Sequence, residues 1–104
     1  MKVIFAPTAK LDLQHIARDI RETNPARAIS VVNELVDFCL SLEQMPRRFP
    51  FVPRYEHSGI RRAVRDDYLI FYRVCPESVD IVHVLHGARD YESILFPEVK
   101  DSDG

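Results

Sequence analysis

Residues 59–90, GIRRAVRDDYLIFYRVCPESVDIVHVLHGARD, are dense in branched and aromatic side chains and are broken twice by turn formers. Residues 60–65 predict a short, arginine-rich strand. Asp66-Asp67 predicts a turn, residues 68–75 a second strand, and Pro76-Glu77-Ser78 a break. Residues 79–86 predict a third strand that ends at Gly87. Connections this short join antiparallel neighbours, so the three strands predict a meander. In the middle strand Tyr68, Ile70, Tyr72 and Val74 point one way, and Leu69, Phe71, Arg73 and Cys75 the other. Both faces are largely apolar, so both need a cover. Helices can cover one. For the other, the candidates are residues 91–96, a second copy of the chain, or a partner protein.

Upstream, Lys2 to Phe5 alternates weakly and predicts an edge strand. A helix follows from Pro7 or Thr8, with Leu13, Ile16, Ala17 and Ile20 on one apolar face. Lys10, Asp12, Gln14, Arg18 and Arg21 fall largely away from that face. Thr23-Asn24-Pro25 stops this helix and starts another. Asparagine is a strong N-cap, and proline suits the first helical position because its missing N–H has no partner there anyway. The second helix is expected to run to about Gln44, with a stripe of Ala28, Val32, Leu35, Cys39 and Leu42 widened by Ile29 and Val36. Pro46 ends it. Two amphipathic helices with so short a joint predict an antiparallel hairpin.

Residues 45–58 form the loop of the chain. Pro46, Pro50 and Pro53 oppose regular structure, while Phe49, Phe51, Val52 and Tyr55 are apolar enough to pin the loop to the domain. Residues 91–96 predict a short helix ended by Pro97. Residues 98–104 are expected to be an acidic, frayed tail. The elements together give an α+β class: an N-terminal strand, a helical hairpin, a three-stranded antiparallel meander and a short C-terminal helix. Residues 1–97 are expected to make one domain.

The apolar share of 46% and charged share of 29% are ordinary for a globular chain and leave no run long enough to span a bilayer. The apolar patch at the N-terminus is interrupted by Pro7 and is too short for a signal peptide, so the expected compartment is the cytoplasm and no membrane partner is expected. Cys39 and Cys75 fit that compartment as small buried hydrophobes. The net charge of −2 is unevenly spread. Residues 47–73 carry seven arginines against Glu56, Asp66 and Asp67, and residues 74–104 are acidic. A basic middle suits an anionic partner, either nucleic acid or an acidic protein segment. The whole-chain balance argues against a dedicated nucleic-acid binder.

The meander also carries a family resemblance. Gly59-Ile60-Arg61, then YLIFYRV at 68–74, then VLHGARD at 84–90 resemble the signature of ParE-type toxins of the RelE/ParE superfamily. Ala9, Asp12, Leu13 and Ile16 stand where these toxins have their first-helix pattern. The resemblance implies a hairpin packed on a small antiparallel sheet with the N-terminal strand beside the meander. It implies a type II toxin neutralised by a ParD-like antitoxin, with operator DNA reached only through that antitoxin and a toxin dimer conceivable. ParE-type members typically poison DNA gyrase by protein–protein contact. Two alternatives stay open: a RelE-like, ribosome-dependent mRNA endoribonuclease with the ribosome and mRNA as partners, and an inactive relative that only binds antitoxin.

No nucleotide-binding glycine loop, zinc-type cysteine spacing or serine elbow is present, so no cofactor or metal is expected. His83 and His86 are three apart on a strand and make a poor metal pair. The superfamily's ribonucleases use basic residues, tyrosine and sometimes histidine for proton transfer at a 2′-hydroxyl and charge stabilisation at the phosphate. The residues here that could serve so are Arg61, Arg65, Tyr72, His86 and Arg89, with Arg73 and Tyr91 nearby in sequence. Alternation splits them, since Tyr72 and Arg73 must face opposite ways. The candidate contacts for antitoxin or target are Arg47, Arg48, Arg54, Arg61, Arg65, Arg73 and Arg89. Five of them have a plainer reading. Arg73 suits a structural pair with an acid or a carbonyl, Arg89-Asp90 suits a turn lock, and the loop arginines suit a solvated surface.

Overall fold

The computed structural model describes residues 1–98. Strand β1 (Lys2–Phe5) leads into helix α1 (Pro7–Arg21) and helix α2 (Pro25–Ser41). After the loop come β2 (Ile60–Arg65), β3 (Tyr68–Val74), β4 (Ser78–His86) and a short helix α3 (Tyr91–Leu95). The sheet order is β1-β4-β3-β2. The meander is antiparallel throughout, and β1 lies parallel to β4 at the edge. The α+β architecture read from the pattern is the one observed.

The turns follow their chemistry. Asp66 sits at φ 54° between β2 and β3, a left-handed conformation that aspartate tolerates because its short side chain bonds locally. Gly59 takes φ 76° where a single 3-10 turn (Glu56–Ser58) hands over to β2. Asn24 caps α2 by accepting the Arg27 N–H at 3.1 Å, with Pro25 in the first helical position. Helix α2 stops at Ser41, short of the expected Gln44. From Leu42 to Gln44 the N–H groups bond three residues back, to Cys39, Leu40 and Ser41, which tightens the exit.

The sheet divides two cores. On one face Ile70, Tyr72, Val79, Ile81 and Val84 meet Val31, Leu35, Cys39 and Leu42 of the hairpin. On the other, Phe71, Ile60 and Leu85 meet Val52 and Tyr55 of the loop, with Tyr91, Ile94, Leu95 and Phe96 packed against them. The C-terminal segment therefore covers the second face. Burial holds the Cys39 thiol in its neutral form, pushing its pKa to about 12. Helix α2 keeps the expected stripe at Ala28, Leu35 and Cys39, continued by Leu42 at its C-cap, but Val31 is buried in place of Val32 and Ile29 is 67% exposed. Ile29 borders a groove of about 390 Å³ between the helices, lined by Ala17, Arg21, Pro25, Ala28 and Val32.

One ladder irregularity ties α1 to the sheet. Pairing with β3 slips between Phe71 and Tyr72, so Val82 is an extra residue in β4. Strand β1 ends at Phe5, which leaves the edge of β4 beyond Ile81 without a strand. The first turns of α1 replace it. Thr8 donates its hydroxyl to the Val82 carbonyl at 2.5 Å, and one oxygen of Asp12 accepts the Val84 N–H at 2.9 Å. The same oxygen lies 2.7 Å from His83 Nδ1. Asp12 thus faces the sheet, contrary to its expected place on the outer side of the helix. The backbone groups freed by the bulge need partners, and a carboxylate supplies one.

Candidate functional site

The arginines of residues 47–73 do not form one surface. They part into two groups on either side of the sheet. Arg61 pairs in register with Tyr72 and Arg65 with Tyr68, so both point to the hairpin side. Arg61 donates from Nη1 to the Phe49 carbonyl at 2.7 Å, and its guanidinium lies 4.1 Å from the centre of the Phe51 ring. Arg48 stands 5.2 Å over Phe49, Phe49 tilts against Phe38 at 5.9 Å, and Arg65 stands 5.8 Å over Phe38. Arg47 joins through its carbonyl, 3.5 Å from Arg61 Nη1. Four arginines and three phenylalanines are thereby contiguous, with the rings holding the guanidinium planes.

Residues 50–52 hold this patch against β2. Val52 N–H bonds to the Ile60 carbonyl at 2.9 Å, and Arg62 N–H to the Pro50 carbonyl at 2.9 Å. The loop behaves as a short fourth pairing on the outer edge of β2, with Phe51 opposite Arg61. Val52 and Tyr55 are buried as expected, while Phe51 stays 38% exposed beneath its arginine. Between the end of α2 and Phe49 lies a hollow of about 230 Å³ lined by Phe38, Leu42, Met45, Arg48 and Phe49. Met45 at its rim is 62% exposed. Among the described residues Arg47, Arg48 and Arg61 form no ion pair, and Arg65 reaches only the exposed Asp66, at 3.9 Å.

The remaining arginines do structural work on the other face. Arg54, at φ 72°, pairs with Glu92 of α3. Tyr55 donates to the second Glu92 oxygen at 3.0 Å and stacks on Phe96 at 4.0 Å. Arg62 donates to the Tyr91 hydroxyl at 3.0 Å, and Tyr91 tilts on Phe71 at 5.1 Å. Arg73 Nε reaches the Ser58 carbonyl at 3.4 Å. Arg89 lies in the turn after β4, where its N–H bonds to the His86 carbonyl at 3.0 Å. Asp90 caps α3 by accepting the Ser93 N–H at 3.4 Å, and its other oxygen accepts the Ser93 hydroxyl at 2.6 Å.

Arg61, Arg65, Tyr72 and His86 share one sheet face, yet they do not surround a common space. Tyr72 is fully buried, and its hydroxyl donates to the Pro46 carbonyl at 2.7 Å. Burial raises its pKa, against the pull of the Phe49 backbone and of Arg61. His86 lies four residues further along the sheet, opposite Tyr68, which is about 13 Å away at the usual strand rise. Its Nδ1 accepts the Ala88 N–H at 3.1 Å, and its ring meets Tyr68 edge-on at 5.4 Å. Arg73, Arg89 and Tyr91 lie elsewhere. His83 and His86 keep separate neighbours, and among the described residues no three His, Cys, Asp or Glu side chains gather as metal ligands. No described helix is long and apolar enough to cross a membrane. Phe38 and Arg62 were missed by sequence reasoning. Arg62 sat in the charge count, and only its register against Phe71 reveals its bond to α3.

A hairpin over a four-stranded sheet, with a short helix closing the far face, defines the RelE/ParE-like class of toxin folds. The sequence model of the ParE toxin of type II parDE toxin–antitoxin systems matches residues 3–91, and the chain belongs to that family. Two solved structures are similar. One, described as the chromosomal ParDE toxin–antitoxin system from P. aeruginosa, superposes with a TM-score of 0.73 at 19% identity, over 83% of this chain and 95% of that one. The other, the RelBE2 toxin–antitoxin complex from Mycobacterium tuberculosis, gives 0.63 at 30% identity, over 85% and 92%. No curated protein sequence matches the chain.

Proposed function

We propose that this toxin acts by contact on DNA gyrase and is neutralised by a ParD-like antitoxin. The observation that carries the reading is the dispersal of the groups a ribonuclease would use. Tyr72 is buried and bonded to a carbonyl, Arg61 is spent on the loop, and His86 closes its own turn. Acid–base cleavage needs its donor and acceptor within hydrogen-bond reach of one substrate. A binding mechanism needs only exposed anchors, and aromatic and arginine side chains are the usual ones. Membership of the ParE family and the likeness to a ParDE system support the same choice.

The test sets a DNA supercoiling assay beside an in-vitro translation assay with purified protein. Loss of gyrase supercoiling with ribosome-bound mRNA intact is expected. Codon-positioned mRNA cleavage, abolished in folded His86→Ala or Arg89→Ala protein, reverses the reading. Induction without antitoxin should halt growth. Normal colony counts with folded protein present would leave only the inactive, antitoxin-binding relative.

A further inference from the structure

We infer that the arginine–phenylalanine patch at the end of α2 docks an acidic segment of the antitoxin that carries one apolar anchor side chain. The inference rests on the toxin–antitoxin reading and adds the place and chemistry of the contact. Arg47, Arg48 and Arg65 offer cations that no firm ion pair claims among the described residues. Arg48 lines an apolar hollow of about 230 Å³, Arg47 precedes it in the chain, and Arg65 stands over Phe38, which forms part of the same wall. Carboxylates answer the arginines, and an apolar side chain answers the hollow between Phe38, Leu42 and Phe49. Charge complementarity speeds encounter and fixes orientation, while the desolvated anchor supplies affinity.

Two features select a peptide over a nucleic acid. Base stacking needs open ring faces. Here guanidinium groups cover a face each of Phe38, Phe49 and Phe51. The chain as a whole is also acidic, at −2. The mode of contact follows from the β2 edge. Residues 50–52 already occupy it, so the visitor cannot add a strand there and is read by its side chains. An amphipathic helix with acidic residues spaced three and four apart meets that need.

The test is a binding titration of the toxin with the small protein encoded beside it. Arg47→Glu/Arg48→Glu should weaken binding about 10-fold or more, with steep salt dependence in the parent complex. The matched reversal Lys10→Glu/Arg18→Glu on α1 should stay within about twofold, since distant exposed charges are screened. Melting curves confirm that both variants fold. Undiminished affinity of the Arg47→Glu/Arg48→Glu protein overturns the placement and leaves the toxin–antitoxin reading standing. A second arm uses a synthetic 15-residue peptide of Glu, Asp, Leu and Phe and its Gln/Asn counterpart. Peptide binding lost in the arginine variant, with no binding of the neighbouring product, would keep the patch and sink the reading on which it rests. Binding of the Gln/Asn peptide as tight as the acidic one overturns the inference. So does tighter binding of a single-stranded oligonucleotide.

Discussion

The two faces of the sheet are closed by different means. The hairpin side is sealed by two regular helices whose apolar stripes interlock with Ile70, Tyr72, Ile81 and Val84. The far side is sealed by a loop and a five-residue helix, and polar tethers hold that cover in place: Arg54 and Tyr55 on Glu92, and Arg62 on Tyr91. A long amphipathic helix brings its own backbone bonds and a broad apolar face. A single turn and a half does not, because so short a helix is marginal by itself. The contrast teaches that one cover is held mainly by burial, with a local stitch from Thr8 and Asp12, while the other depends far more on side-chain bonds at its edge.

The strongest way to break the comparison is on the hairpin side. Leu35→Ala should cost about 3 kcal/mol in urea unfolding, as buried leucine truncations do. A loss no greater than that of an exposed site would deny that this face carries the stability. Next is the stitch to the bulge. Asp12→Ala should cost about 2 kcal/mol, because it leaves the Val84 N–H without its acceptor. If Asp12→Asn restores most of that, the hydrogen bond matters; if Asp12→Asn is as damaging as Asp12→Ala, the contact with His83 is the part that counts.

Alkaline pH sharpens the same contrast. The folded Cys39 thiol has a pKa of about 12 against an ordinary 9.0, so the folded state keeps a proton that the unfolded chain sheds. Its contribution is complete below about pH 9 and is lost as pH rises toward 12. Between pH 8 and pH 10 stability should fall by about 1.4 kcal/mol, and Cys39→Ala should flatten that fall. A fall of the same size in the variant rules Cys39 out as its source. The smallest effect belongs to the far side. Glu92→Gln should cost about 1 kcal/mol or less overall, since its partner Arg54 is exposed. It should nevertheless speed amide exchange in α3 while leaving α2 protected. Equal acceleration in both helices would show that the two covers open together.

Much of this arrangement was legible in the sequence. Alternation and turn formers placed the meander strands to within one residue, and Asn24-Pro25 placed the helix joint. The edge of the α2 stripe was not legible. Its apolar residues come in neighbouring pairs, Ala28-Ile29, Val31-Val32 and Leu35-Val36, and either member of each pair can serve a stripe. Ala28 and Leu35 were expected there; packing against the sheet chose Val31 over Val32 and left Ile29 outside. Asp12 looked like surface because its partner is a bulge, and a bulge is a property of pairing rather than of composition. The arginines were visible as a run, but their division was not. It depends on the register of β2 and on the path of a proline-broken loop. The rings under Arg48 and Arg61 both lie in RRFPF, but only Arg48 stands beside its ring there, and that adjacency was the available signal.

The pairing of residues 50–52 with β2 has a consequence for how copies of this chain can meet. A sheet usually offers two ragged edges, and a molecule with two can join neighbours on both sides without end. Here half of one edge, residues 60–62, is occupied by the chain's own loop, and β1 forms the other edge. Two copies that paired through β1 would leave only the short end of β2, residues 63–65, for a third. Pairing between copies is therefore directed to β1, and a twofold pair formed there leaves little strand edge from which a filament could grow.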